Sequence, residues 1–309
     1  MRIYVAGISG MVGSAFALEA EAQGHQVLGN PSRKLNFTDR KDTFIELEES
    51  KPDALVIAAA KVGGIGANSS MPVDFLSMNL QIQTNLLDAA HAAKIDRVLF
   101  LGSSCIYPKL APQPIPESAL LTGTLEPTNE PYAISKIAGL KLVEAYRRQF
   151  GHRWISAMPT NMYGPRDNFN LESAHVLPAL IHRIHNAKTS GSNQVEIWGD
   201  GSPLREFLHV TDFARACLIL MNQYDESVAI NIGSGQEISI EQLANLISKV
   251  VGYSGKIVFN ETRPNGTPRK LLDSSKIAQL GWTPRVTLEE GIVSTYAWFL
   301  THHVKEPMP

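Results

Sequence analysis

The sequence predicts an α/β fold in which a parallel sheet is covered by helices on both faces. Three observations lead to this prediction. Strand-like runs alternate with helical patterns through the first half of the chain, the runs are almost continuously apolar, and a glycine-rich turn joins the first run to the first helix. Such alternation is typical of parallel sheets with helical crossovers. Continuous apolar strands are typical of sheets that are buried on both faces.

The predicted elements follow one another in strand-helix order. The strands are Ile3–Ile8, Val27-Leu28, Ala54–Ala60, Arg97–Gly102 and Trp154–Pro159, and the helices are Met11–Gln23, Arg40–Glu49, Val73–Ala93 and Pro131–Phe150. After about residue 163 the elements shorten, and Phe207–Val210 and Ala229–Gly233 are expected as late strands that can rejoin the sheet. We therefore expect one domain at 1–163 plus about 203–233, and a smaller, discontinuous α/β lobe at about 164–202 plus 234–309.

Composition excludes several classes of protein. The 309 residues are enough for a large core and two lobes, and 44% hydrophobic with 19% charged residues is ordinary for a soluble globular chain. A net charge of −2 favours neither nucleic acid nor an anionic membrane. No apolar run reaches the ~18 residues of a membrane span. Two cysteines, Cys105 and Cys217, suffice for neither a disulfide framework nor a metal cluster, so no metal and a reducing cytoplasm are expected.

A glycine-rich stretch, GISGMVG, places Gly7, Gly10 and Gly13 between the first strand and the first helix. Glycines allow a tight turn and let backbone N–H groups approach a pyrophosphate at the start of a helix. At the beginning of a strand-helix-strand pattern this predicts a Rossmann-type dinucleotide site. The alternative is a generic strand-helix turn, because the spacing is G-x-x-G-x-x-G rather than G-x-G-x-x-G.

The end of the second strand indicates the type of dinucleotide. NAD-binding proteins usually carry a carboxylate there for the ribose 2′-hydroxyl. This chain instead has Gly29-Asn30-Pro31-Ser32 followed by Arg33 and Lys34. Two cations suit a 2′-phosphate, so NADP(H) is predicted. A solvated basic turn is the alternative.

A tyrosine and a lysine lie four residues apart in NEPYAISKIAG, on one face of a predicted helix that begins near Pro131. Lysine near the Tyr132 hydroxyl is expected to lower the tyrosine pKa from ~10. Ser103, at the end of the fourth strand, can share a substrate carbonyl oxygen with Tyr132. The order of glycine loop, strand-end serine and Tyr132/Lys136 predicts carbonyl reduction, whereas a surface helix face is the alternative for the pair alone.

Longer stretches resemble the GDP-L-fucose synthase family of extended short-chain dehydrogenase/reductases. The resemblance runs through nearly the whole chain. It is carried by the stretches GISGMVGSA, AAKVGGIGAN, FLGSSCIYPKLAPQPIPES, GTLEPTNEPYAISKIAGLKL, PTNMYGPRDNF, SAHVLPALI, WGDGSPLREFLHV and RPNGTPRKLLD. It implies a GDP-linked 4-keto sugar as substrate, with NADP(H)-dependent 3,5-epimerisation and 4-reduction. It also implies a homodimer that pairs the helices predicted at Val73–Ala93 and Pro131–Phe150.

The resemblance assigns roles to individual residues. Cys105 and His175 match the acid-base pair of the family, beside Ser103, Tyr132 and Lys136. A small buried hydrophobe remains the alternative for Cys105, and a structural helix-start residue for His175. The implied cofactor positions are Gly7, Gly10, Met11, Val12, Gly13, Arg33, Ala59, Ala60, Leu101, Gly102, Lys136, Pro159, Asn161, Met162 and His175. The implied substrate positions are Arg183, Trp198, Arg205, Asn265 and Lys270.

Two positions depart from the family pattern, and other activities stay open. Asn265 stands where many relatives have an acidic residue, and Ser9 stands where some have a basic one. Dehydratases place Asp-Glu after the catalytic serine or threonine, whereas this chain has Ser104-Cys105, which argues against dehydration. The alternatives are a related 4-reductase or epimerase/reductase on another GDP-keto-sugar (3,6-dideoxy or heptose) and a non-catalytic NADP sensor.

Overall fold

The computed structural model describes residues 1–32, 34–262 and 265–304. Its strands are β1 (Arg2–Ala6), β2 (Gln26–Leu28), β3 (Ala54–Ile57), β4 (Arg97–Leu101), β5 (Ile155–Pro159), β6 (Asn161–Tyr163), β7 (Gln194–Trp198), β8 (Leu204–His209), β9 (Ile230–Ile232), β10 (Glu237–Ser239), β11 (Lys256–Asn260) and β12 (Arg269–Lys270).

The helices separate single strands at first and pairs of strands from β5 onward. They are α1 (Met11–Ala22), α2 (Arg40–Ser50), α3 (Ile65–Ser70), α4 (Asn79–Ala92), α5 (Glu130–Phe150), α6 (Val176–Thr189), α7 (Val210–Gln223), α8 (Ile240–Val251), α9 (Ser275–Gln279) and α10 (Leu288–Phe299). A π-helical turn at Asp74–Met78 leads into α4, so the helix predicted at Val73–Ala93 changes its hydrogen-bond pattern within its first turns. None of the described helices combines the length and the apolar character needed to cross a membrane.

Six parallel strands form the main sheet in the order β2-β1-β3-β4-β5-β9. Side chains alternate between its two faces, as strand geometry requires. Ile3 and Val5 of β1 join one apolar cluster, which contains residues of α1 and α7, whereas Tyr4 and Ala6 join a second cluster on the α2, α4 and α5 side. The doubly covered parallel sheet predicted from the sequence is confirmed.

One of the two late strands does not join this sheet. Ile230–Ile232 pairs with β5, as expected, but β8 pairs with β6, β10 and β12 in a separate sheet. The expectation for Phe207–Val210 was therefore wrong, and Val210 already belongs to α7. The physical reason is that β9 already pairs with the free edge of β5, while the backbone of β8 pairs with β6, β10 and β12. The buried Glu206 carboxylate of β8 also accepts hydrogen bonds from the backbone N–H groups of Gly235 and Leu272.

A third apolar cluster lies among α6, α8 and α10 and the short strands β7 and β8. It is separate from the two clusters that cover the main sheet. Leu272, Ile277 and Trp282, from the last third of the chain, pack instead into the clusters on the main sheet. The domain boundaries given above stay a prediction.

Candidate active site

The segment after β4 positions Ser103 and Cys105 at the carboxyl edge of the main sheet. Ser104–Ile106 forms a single 3₁₀ turn, and the Ser103 Oγ accepts a hydrogen bond from the Cys105 backbone N–H at 3.2 Å. Side chains 103 and 105 are both half-buried, whereas Ser104 between them is buried. The turn therefore presents the serine and the cysteine together, as the sequence predicts.

Helix α5 brings Tyr132 and Lys136 to the same place. The Lys136 ammonium donates to the Leu101 carbonyl at 2.9 Å and lies 5.9 Å from the centre of the Tyr132 ring. Burial lowers the pKa of Lys136 to about 8. Burial and the nearby Cys105 raise the pKa of Tyr132 above its ordinary value, and the adjacent Ser103 side chain opposes this only in part.

The expected direction for Tyr132 was therefore wrong in this structure. Desolvation of the phenolate outweighs any help from the lysine, whose ammonium is held at the Leu101 carbonyl. Tyr132 is protonated near neutral pH. A buried phenol in this state is suited to donate a proton.

The Cys105 thiol lies between two hydrogen-bond donors. The Lys270 ammonium and the Asn129 side-chain amide each approach the Cys105 Sγ to 3.3 Å. Burial alone would raise the pKa of the thiol, but the charge and hydrogen bond of Lys270, the Ser103 side chain and the charge of Arg205 together lower it. The Cys105 thiol is thus half-buried among polar groups, and its catalytic role stays a prediction. Cys217 is instead buried, and this burial raises its pKa strongly.

His175 precedes α6, in the position that caps the helix, yet its ring makes no capping hydrogen bond among the described residues. The segment before it is fixed by the loop after β3, where the Gly64 N–H donates to the Ser173 carbonyl at 2.8 Å. A Cβ at position 64 would lie 2.4 Å from the Ala174 oxygen, so only glycine allows this approach. Desolvation by the surrounding protein and the positive charge of Lys270 both lower the pKa of His175.

The glycine turn has the shape of a phosphate-binding loop. Gly7 has a φ of 90°, and a Cβ on Gly13 would lie 2.1 Å from the Gly7 oxygen. Helix α1 begins beyond this turn with no acidic residue in its first turn. The close backbone approach and the exposed helix start fit a dinucleotide pyrophosphate.

The other predicted cofactor positions lie along the same edge of the sheet. They begin α1 (Met11, Val12), follow or end β3 to β5 (Ala59, Ala60, Leu101, Gly102, Pro159), or belong to β6 (Asn161, Met162). The Asn161 amide is also bound to the Glu206 carbonyl at 2.8 Å, which joins β6 to β8. Arg33, predicted to bind a 2′-phosphate, lies outside the described residues.

The predicted substrate residues divide into two groups. In the first, the Arg183 guanidinium lies 5.5 Å from the centre of the Trp198 ring, and the Asn265 Oδ1 accepts a hydrogen bond from the Asp200 N–H at 2.9 Å, just after that tryptophan. In the second, Arg205 and Lys270 lie beside Cys105. The structure therefore places Lys270 at the thiol, where the sequence did not predict it.

Two further residues of the site escaped the sequence analysis. The Asn129 side chain makes no cap at the start of α5 and donates a hydrogen bond to the Cys105 Sγ instead. Glu46 comes from α2 to the end of β2, where its carboxylate accepts a hydrogen bond from the Asn30 amide at 2.9 Å. No local signal marks Glu46, whereas Asn129 stands in the family-specific stretch EPTNEPYA.

A cavity of about 20 Å³ adjoins the thiol, which is room for one water molecule. Cys105, Asn129 and Lys270 line one part of it, and Lys109 and Glu126 line another. The described residues contain no cluster of three or more histidine, cysteine, aspartate or glutamate side chains that could hold a metal ion.

Comparisons with known proteins identify the family of the chain. Residues 3–233 match the NAD dependent epimerase/dehydratase family. The chain is 54% identical to the putative GDP-L-fucose synthase 2 of Arabidopsis thaliana (99% of this chain, 93% of that one) and 49% identical to the GDP-L-fucose synthase of Escherichia coli (97% and 96%). The crystal structure of a GDP-L-fucose synthetase from Naegleria fowleri bound to NADP matches with a TM-score of 0.91 at 27% identity (99% and 96%). The chain belongs to the NAD dependent epimerase/dehydratase family, where GDP-L-fucose synthases are its relatives at about half identity over nearly full length.

Proposed function

We propose that this chain converts GDP-4-keto-6-deoxy-D-mannose to GDP-L-fucose by 3,5-epimerisation and NADPH-dependent 4-reduction. The observation that carries the proposal is the thiol of Cys105, which lies with lowered pKa beside the Ser103, Tyr132 and Lys136 side chains of a carbonyl-reducing site. Reduction of a ketone alone needs no such thiol. The similarity to GDP-L-fucose synthases supports the same substrate.

The thiol has a use in inverting carbon centres next to a carbonyl. The C4 carbonyl acidifies the hydrogens on C3 and C5, and inversion needs a base on one face and an acid on the other. Cys105 and His175 form this pair, since both groups exchange protons near neutral pH. Ser103 and Tyr132 hydrogen-bond O4 and stabilise the enolate that forms when the C–H bond breaks.

Reduction uses the same oxygen. When bound, NADPH supplies a hydride to C4. The protonated Tyr132 hydroxyl donates its proton to O4 at that step, so that the ketone becomes an alcohol. Lys136 places a positive charge near the resulting phenolate and stabilises it. Tyr132 then regains its proton from solvent.

The outer residues hold the nucleotide part of the substrate. Arg183 and Trp198 form a cation–π pair at 5.5 Å that offers a flat apolar surface beside a charge. A guanosine diphosphate presents the matching parts, a planar base and two negative phosphates. Arg205, nearer the thiol, suits a phosphate oxygen because its guanidinium can donate two hydrogen bonds at once.

We also propose that the protein forms a homodimer and works in the cytoplasm. A homodimer would pair α4 and α5 with the same helices of a second copy. Ile134 and Phe150 of α5, large apolar residues with substantial exposure, support this face. The two described cysteines are unpaired, which suits a reducing cytoplasm.

The test follows NADPH absorbance with GDP-4-keto-6-deoxy-D-mannose and identifies the product by NMR. GDP-L-fucose as product supports the full proposal. A reduced product without inversion at C3 and C5 leaves a 4-reductase and removes Cys105 from the chemistry. Turnover only with a 3,6-dideoxy or heptose keto-sugar moves the proposal to that substrate, and NADPH binding without any turnover favours a sensor.

Two variants separate the half-reactions. Cys105→Ser should stop or greatly slow deuterium incorporation from solvent at C3 and C5, since a hydroxyl is a far weaker base than a thiolate. Tyr132→Phe should instead cripple the reduction most, because it removes the proton that O4 receives. Unchanged deuterium exchange in Cys105→Ser would exclude Cys105 as the base.

A further inference from the structure

We propose that Lys270 and Asn129 are positioning residues that hold Cys105 as a thiolate before the substrate binds. The main partner of Lys270 is then the Cys105 thiol, and not the phosphates of the nucleotide. The chemical use of the thiolate rests on the proposed function, whereas its existence in the free enzyme does not. The two ideas can therefore fail separately.

The contacts of the sulfur carry the inference. The Lys270 Nζ and the Asn129 Nδ2 both lie 3.3 Å from the Cys105 Sγ. An ammonium has three N–H donors and no acceptor, so a thiol proton directed at Lys270 would meet another proton. Asn129 turns its N–H₂ group to the sulfur, while its Oδ1 is buried with no hydrogen-bond partner among the described residues. A sulfur that receives two donors is satisfied as the anion.

The charged groups around the sulfur also favour the thiolate. Arg205 adds a second positive charge near the sulfur, and the Tyr132 hydroxyl that faces it stays protonated and neutral. The carboxylate at the adjoining cavity, Glu126, is paired with Lys109 at 2.9 Å.

Two further charged groups lie close by. Arg269 precedes Lys270 on β12 but pairs with Glu237 at 2.9 Å. His175 also lies in the field of Lys270, which disfavours its imidazolium form. The same ammonium thus favours the anion of the cysteine and the neutral form of the histidine.

The origin of Lys270 explains why it is suited to this task. It comes from β12, which pairs with β8 in register with Arg205, so a regular strand pair fixes both cations. Asn129 comes from the short turn before α5, one helical turn ahead of Tyr132. The thiolate is therefore held from two sides by separate parts of the fold.

The experiment measures the rate at which iodoacetamide alkylates the full-length protein, without sugar nucleotide, as a function of pH. Only the thiolate reacts. Cys105→Ser should abolish the reaction, because the only other cysteine, Cys217, is buried. The wild-type midpoint should lie below the ~8.5 of an ordinary cysteine.

Lys270→Met should raise this midpoint by about 1–2 pH units, which lowers the alkylation rate at neutral pH about 10- to 100-fold. Lys270→Arg should largely restore it. Arg269→Met, which removes the same charge from the neighbouring position, should leave the midpoint unchanged. NMR titration should also show the His175 pKa rising in folded Lys270→Met, because the ammonium that disfavours the imidazolium is removed.

Asn129→Asp tests the second donor in a side chain of the same shape. Its carboxylate should raise the midpoint of alkylation above the wild-type value. It also keeps the proposal testable if Lys270→Met does not fold. A wild-type midpoint at or above ~8.5 overturns the proposal. The proposal is also overturned if Lys270→Met folds, binds NADPH and keeps the wild-type midpoint. A rise in only its KM for the sugar nucleotide would make that result stronger. Neither result depends on whether GDP-L-fucose is the product.

Discussion

Replacing Lys136 with methionine should stabilise the cofactor-free protein while it removes activity. The residue Lys136 is 5% exposed, and the pKa of its ammonium falls from 10.5 to about 8 because burial penalises the charge. A pKa difference of this size corresponds to about 3 kcal/mol of unfavourable burial at neutral pH, at ~1.4 kcal/mol for each unit. The lost hydrogen bond to the Leu101 carbonyl offsets about 1 kcal/mol of this. We expect Lys136→Met to gain about 2 kcal/mol in the free energy of unfolding at pH 7.

The size of this advantage depends on pH in a defined window. Below about pH 8 the lysine is protonated in both the folded and the unfolded chain, so the wild type bears the whole penalty. Between about 8 and 10.5 the unfolded chain holds more protons than the folded one, and wild-type stability therefore rises with pH. The advantage of Lys136→Met should shrink through this window and vanish near its upper end.

Urea unfolding at pH 7 and at pH 9.5, without NADP(H), measures both effects. Lys141→Met is the matched control, since Lys141 lies on the same helix with an exposed side chain paired to Glu144. This control should change stability by less than about 0.5 kcal/mol. A destabilised Lys136→Met protein at pH 7, or an advantage that does not depend on pH, would refute the reasoning.

Three other predictions concern the cofactor and the substrate. Gly13→Ala should abolish NADPH binding in a fluorescence titration, because its Cβ would lie 2.1 Å from the Gly7 oxygen, whereas Gly10→Ala, at 3.4 Å from the same oxygen, should retain measurable binding. The wild type should show a lower KM for NADPH than for NADH, and the reverse order would contradict the 2′-phosphate site. Trp198→Ala should raise the KM for the GDP-sugar about tenfold or more with little change in kcat, since it removes the surface that pairs with Arg183 far from the reacting carbon; an equal loss in kcat would argue against a binding role.

Local patterns predicted the parts of the site that are local in the chain. The glycine turn, the strand-end Ser103 and the pair Tyr132/Lys136 each depend on residues within one strand-helix unit, and the structure places them where those units meet. The carboxyl ends of parallel strands share one edge, so their side chains come together without further information. The roles of these residues stay predictions.

Contacts between distant segments could not be predicted. Lys270 is 165 positions from Cys105, and no spacing rule connects them. The same applies to β8, whose apolar run resembles a strand of the main sheet. The backbone N–H groups that donate to its Glu206 carboxylate belong to Gly235 and Leu272, which lie much later in the chain. The pKa of Tyr132 depends on burial and on the nearby Cys105 and Ser103 side chains, and local sequence patterns do not show how deeply a side chain is buried.

The distance in sequence between Cys105 and Lys270 has a consequence during synthesis. All six strands of the main sheet precede β12 in the chain, so the ribosome makes them before it makes residue 270. Until residue 270 arrives, Cys105 lacks the ammonium that we propose holds it as a thiolate. The proposed sensitivity of this thiol to oxidants therefore begins only once β12 has paired with β8.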